Sequence, residues 1–88
     1  MERELIVLVP ANLSRRGGHW SDDDFDVRLG NAGGEVVGRI FRAPHSPQDR
    51  PWFWMITVRV PQQPTRRGYA ATREDAMVDF EVGWDRKP

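Results

Sequence analysis

Trp52-Phe53-Trp54-Met55-Ile56-Thr57-Val58-Arg59-Val60 is the stretch whose reading decides the fold. Aromatic and β-branched side chains dominate it and favour a pleated, half-buried surface, so it reads as a strand. Successive side chains of a strand point to opposite faces. Trp52, Trp54, Ile56, Val58 and Val60 therefore share one face, and Phe53, Met55, Thr57 and Arg59 share the other. A strand with one face in water alternates apolar with polar residues. This one stays apolar on both faces as far as Ile56. Either both faces are covered, or one apolar face is left open for a partner.

Working outward, Asp24-Phe25-Asp26-Val27-Arg28-Leu29 alternates strictly and puts Phe25, Val27 and Leu29 on one face. Gly30-Asn31-Ala32-Gly33-Gly34 supplies residues that tolerate positive φ, which marks a hairpin loop. Glu35 to Arg42 is the second strand, with an ambiguous register: Val37 and Phe41 go with Arg39, while Val36 and Ile40 go with Gly38 and Arg42. Pro44, Pro47 and Pro51 stiffen the connection to the aromatic strand, because each fixes φ and removes a donor. Beyond Pro61, Gln62 to Gly68 reads as a polar loop. Thr72 is a good N-cap with Asp75 three residues on, and Ala76, Met77, Phe80 and Trp84 form the apolar stripe of a helix from Arg73 to about Trp84.

The expected fold class is α+β, an antiparallel sheet of three or four strands packed on one C-terminal helix. Residues 20–88 read as a single β-β-β-α domain. Residues 1–19 read as an N-terminal segment with a candidate short strand at 5–9 followed by a flexible loop. One helix covers one face of such a sheet, so the N-terminal segment, a partner or water must meet the other.

Eighty-eight residues lie near the lower end of sizes that fold without a staple, and there is no cysteine to provide one. Four Trp, four Phe and three Met must carry much of the core. The apolar run Leu5 to Val9 is too short for a signal or spanning segment, so a soluble cytoplasmic protein without membrane partners is expected. Formal net charge is zero, which argues against a strongly basic nucleic-acid binder on bulk charge alone. The distribution is uneven. Arg28, Arg39, Arg42, Arg50, Arg59, Arg66, Arg67 and Arg73 face only Glu35 and Asp49 over the middle of the chain, with acidic runs on either side.

No motif names a reaction. Asp22-Asp23-Asp24-Phe25-Asp26 has the opening spacing of a calcium loop, but Val27 stands where the glycine is required and Gly33 where the bidentate Glu is required. It reads as solvated acidic residues leading into a strand. His19 and His45 lack a third ligand at metal spacing. Gly30 to Gly34 is followed by a strand, so no helix N-terminus faces a phosphate there. Ser14, Ser21 and Ser46 sit in no nucleophile elbow. The expectation is a non-enzyme with no cofactor, metal or small-molecule ligand.

The remaining candidate is a binding face of Phe53, Met55 and Arg59 beside Arg39 or Arg42 of the neighbouring strand. Aromatics, Met and Arg are enriched at the cores of protein interfaces, so a protein partner or a homodimer is the leading expectation. Aromatics stack bases and Arg pairs phosphates, so a nucleic-acid-binding accessory protein using the same face is the alternative. The bland reading is that Arg stems cover the rings.

Two resemblances follow from the residues. Three strands, a helix and the lead-in Gly68-Tyr69-Ala70-Ala71-Thr72-Arg73-Glu74-Asp75-Ala76 resemble, over roughly residues 24–84, the arm-type DNA-binding domains of phage integrases and related plant factors. That resemblance implies a sheet entering the major groove. Trp20 to Arg28, Val37-Gly38-Arg39-Ile40, Pro51-Trp52-Phe53-Trp54 and the same lead-in resemble a group of small soluble proteins of unknown function from soil alphaproteobacteria. This second resemblance covers nearly everything after residue 19 and implies no activity.

Overall fold

The computed structural model describes residues 5–15, 17–58 and 66–85. Strand β1 (Ile6–Pro10) leads into a short helix α1 (Ala11–Ser14). Strands β2 (Asp24–Leu29), β3 (Val36–Arg42), β4 (Trp52–Ile56) and β5 (Arg67–Ala70) follow, and α2 (Arg73–Asp85) closes the order. Each strand pairs antiparallel with its neighbour in the chain, giving one five-stranded meander β1-β2-β3-β4-β5. The α+β class holds, with two more strands than the β-β-β-α core read from sequence. Residues 6–10 pair with β2 from Ile6↔Leu29 to Pro10↔Phe25, so this part of the N-terminal segment belongs to the sheet. Arg67 and Gly68, read as loop, are the start of the edge strand β5.

The register separates the side chains of the sheet cleanly. Pairs Phe25↔Ile40, Ile40↔Trp54 and Trp54↔Gly68 lie on one face, as do Val27↔Gly38 and Gly38↔Ile56. Helix α2 packs on that face, against β3, β4 and β5. Its Ala76 and Phe80 are fully buried and Trp84 nearly so, as the periodicity of the apolar stripe requires. Phe80, Ile40, Ile56, Val27 and Val37 are the largest fully buried side chains, each contributing about 1.5–3 kcal/mol by leaving water. Gly38 is glycine for a steric reason. Phe80 and the Met55 carbonyl occupy the place a β-carbon there would take.

Two local features explain how the elements start and register. Thr72 Oγ1 accepts the Asp75 N–H at 3.0 Å, the N-cap bond expected from the sequence. The β2–β3 register shifts between Val27 and Arg28, where Arg28 pairs with Val36. That irregularity leaves Val37 between paired positions and buries it in the core, which resolves the ambiguity of the second strand. Strand β4 ends at Ile56, and Thr57 N still donates to Val37 O at 2.9 Å. Arg59 and Val60 lie outside the described residues. Among the described residues no helix is long and apolar enough to cross a membrane.

Candidate binding face

The second face of the sheet carries the pairs Asp26↔Arg39, Asp24↔Phe41, Arg39↔Met55, Phe41↔Phe53, Phe53↔Tyr69 and Met55↔Arg67. It divides into two halves. Over β1 and β2 it is covered by α1 and the residue that follows it. Over β3, β4 and β5 no described element lies on it.

The covered half is an ion network. Arg15 Nη1 and Nη2 donate to the two Asp24 oxygens at 3.1 Å each, and Nη2 also reaches Asp26 Oδ1 at 2.6 Å. Arg39 binds Asp24 from the other side, through Nε at 2.9 Å and Nη2 at 2.6 Å. Ser14 Oγ donates to Asp26 at 2.6 Å and accepts from Arg28 Nη2 at 2.8 Å. Arg28 Nη1 ends the chain on Gly34 O. Asp24 and Asp26 are only 5% and 6% exposed. The solvated acidic reading fails for these two residues, because pairing with guanidinium groups is what permits their burial. Asp22 and Asp23 remain exposed.

Burial pushes the Asp24 carboxyl up, but hydrogen bonds from Arg39 and Arg15 outweigh it and hold the group below its ordinary range. Asp26 is likewise lowered: burial raises it, and the Arg15 and Ser14 hydrogen bonds prevail. The Arg15 guanidinium is raised, chiefly by its bond to Asp26. Asn12 closes the loop behind Arg15, accepting Trp20 N at 2.9 Å and donating to Trp20 O at 2.8 Å. The Arg15 guanidinium then lies 4.6 Å from the Trp20 ring centre.

The open half is a row of rings. Phe41 of β3, Phe53 of β4 and Tyr69 of β5 stand at successive cross-strand positions. Their centroids are 5.5 and 5.0 Å apart, and the planes are inclined at 64° and 58°. These are favourable tilted aromatic contacts. The Arg39 guanidinium sits 4.0 Å from the Phe41 ring centre and caps one end of the row. At the other end Phe53, Arg67, Gly68 and Tyr69 line an open concavity of about 460 Å³. Tyr69 is 42% exposed, while Phe41, Phe53 and Met55 are half-buried.

Of the residues expected from sequence, the structure brings Arg39, Phe53 and Met55 together on this face. Arg42 pairs with Trp52 and therefore belongs to the helix-side face, because it is an odd number of residues from Arg39. That placement removes Arg42 from the candidate set. Arg59 lies outside the described residues. Phe41, Tyr69 and Arg67 were missed. Phe41 shares the parity of Arg39 and was open to the sequence, whereas Tyr69 and Arg67 required recognition of a four-residue edge strand. Arg66 is buried and turned from solvent, with Nε and Nη1 unpartnered, so it adds nothing to the face.

Charge is unevenly placed among the described residues. The second sheet face has Arg15, Arg28, Arg39 and Arg67 against Asp24 and Asp26, and both carboxylates are buried and satisfied. Helix α2 carries Glu74, Asp75, Asp79 and Glu81 against Arg73. A zero sum thus conceals a cationic surplus over this face as a whole, while Asp75 and Asp79 line a second concavity with Tyr69 beside Arg50. No protein-family model, curated protein or solved structure matches this chain.

Proposed function

We propose that this protein is a small non-catalytic binding module whose working surface is the open sheet face of Phe41, Phe53, Met55, Tyr69, Arg39 and Arg67. The observation that carries the reading is the three-ring row that no described element covers, while the adjoining half of the same face is sealed by α1 and Arg15. Tilted ring pairs are ordinarily core features. Here each ring is held in place by its neighbour at the edge of a small domain, which lowers the entropic cost of ordering them on binding. A macromolecule fits this surface better than a small molecule, because the concavity beside Tyr69 is open and shallow rather than enclosing.

Self-association through the free edge of β5 is disfavoured. Asp75 and Asp79 line a concavity there with Tyr69, Ala70, Ala71 and Val78, and Arg50 is the one cation among them. A two-fold axis there would bring the carboxylates of both copies together, and like charges in an interface are costly. In-cell photo-crosslinking tests the reading. A photoreactive residue at Tyr69 should give adducts with a macromolecule, and one at Val82 on the outer surface of α2 should give none. Equal adducts from both positions would refute it.

A further inference from the structure

We infer that the partner of the open face is single-stranded nucleic acid, an inference that rests on the binding-face reading above. Three features of the face converge on this chemistry. First, the rings form a row that crosses three strands at 5.5 and 5.0 Å spacings, ending at the well-exposed Tyr69. Exposed sheet aromatics serve as platforms for two or three unstacked bases. Second, a guanidinium stands at each end of the row. Arg39 lies against Phe41 and Arg67 lines the concavity with Tyr69. A base on a ring then has a cation within reach of its flanking phosphate. Third, Asp24 and Asp26, the carboxylates on the strands of the face, are buried under Arg15, Arg39 and Ser14, so neither presents a bare negative charge to a phosphate backbone, and Arg50 stands with Asp75 and Asp79 in the second concavity that Tyr69 lines.

An apolar protein partner would also use the rings. It would not need cations at both ends of the row, nor the removal of carboxylates from a face whose neighbouring helix is acidic. Double-stranded nucleic acid keeps its bases stacked and offers the rings nothing to hold. Arg39 donates to Asp24 through Nε and Nη2, which leaves Nη1 for a phosphate. Arg67 is exposed. The electrostatic contribution is therefore small, with about two phosphates engaged, and stacking carries most of the affinity.

The test is a titration of labelled oligothymidylate and oligouridylate, single-stranded and as duplexes, followed by anisotropy with amide-shift mapping. Single strands are expected to bind in preference to duplexes. Shifts are expected at Arg39, Phe41, Phe53, Met55, Arg67 and Tyr69. Engaging two phosphates of a single strand gives a slope of log affinity against log salt near about −1.4, and Arg67→Ala should flatten it by about 0.7. Tyr69→Ala should weaken binding about ten-fold, Tyr69→Phe should retain it, and Val82→Ala should leave it unchanged. Tyr69 is exposed, so these variants keep the fold, which circular dichroism checks. If no oligonucleotide binds at low salt while the Tyr69 photocrosslinker captures a protein, the nucleic-acid inference falls and the binding face stands. If oligonucleotides bind but the shifts map to α2, or Tyr69→Ala changes nothing, both fall.

Discussion

Replacing Asp24 with Ala should destabilise the protein more than its position at the start of β2 suggests. Oδ1 accepts from Arg15 Nη2 at 3.1 Å and from Arg39 Nε at 2.9 Å. Oδ2 accepts from Arg15 Nη1 at 3.1 Å and Arg39 Nη2 at 2.6 Å. Removing one partner of a buried ion pair costs about 3–5 kcal/mol, because the other charge stays buried without compensation. Two facts reduce that figure here. The Arg39 side chain is 37% exposed and can turn to water, and Arg15 keeps Asp26. About 2–3 kcal/mol remains, a large share of the roughly 5–10 kcal/mol that a chain of this size commands. The melting temperature should fall by about 10–20 °C. Urea unfolding followed by tryptophan fluorescence measures the loss, and double-mutant cycles divide it between the partners. Exposed pairs couple by about 0.2–1 kcal/mol, so Asp24 with Arg39 should stay under about 1 and Asp24 with Arg15 should approach about 2. A loss below about 0.5 kcal/mol, or a larger coupling to Arg39 than to Arg15, would refute the idea that α1 is pinned through a buried network.

Three further outcomes are expected. Folding holds Asp24 and Asp26 below the ordinary carboxylate range, so the unfolded chain takes up protons first as pH drops. The stability they confer is therefore present above about pH 4 and is lost as pH falls through the lowered folded values, which urea midpoints across that range would reveal as a slope absent from Asp24→Asn/Asp26→Asn. Gly38→Ala should cost about 3 kcal/mol or abolish folding, because the new methyl meets the Phe80 ring and the Met55 carbonyl; a Phe80→Leu background that recovers part of the loss in thermal melts would identify the clash. Thr72→Ala should cost about 1 kcal/mol through the lost cap to Asp75 N, with Thr72→Ser recovering most of it in the same assay.

The aromatic strand was legible because its parity is strict: Trp54 and Ile56 are buried under α2, and Phe53 and Met55 turn the other way. The helix was legible because cap and stripe are both local signals. What failed was non-local. Asp24 and Asp26 look solvated until Arg15 folds back over β2 from α1, a pairing that no spacing announces. Whether Arg39 or Arg42 stands beside Phe53 and Met55 stayed open, because an irregularity opposite Arg28 brings Val37 into the core and blurs the alternation of β3. Strand β5 is four residues long and begins beside an Arg-Arg-Gly sequence, so its alternation is too brief to separate it from a loop, and Tyr69 was hidden with it. The sequence thus exposed the middle ring of the row and one of its capping arginines, and concealed the outermost ring and the other cap.

Hydroxyl-radical footprinting of the free protein, read residue by residue in a mass spectrometer, tests the central claim most directly. If Phe41, Phe53, Met55 and Tyr69 form an open face, Tyr69 and Met55 should oxidise readily at every protein concentration while Trp54 and Phe80 stay protected. Protection of Tyr69 and Met55 as complete as that of Trp54 would mean that this face is covered in the free protein, and the binding-face account would be wrong.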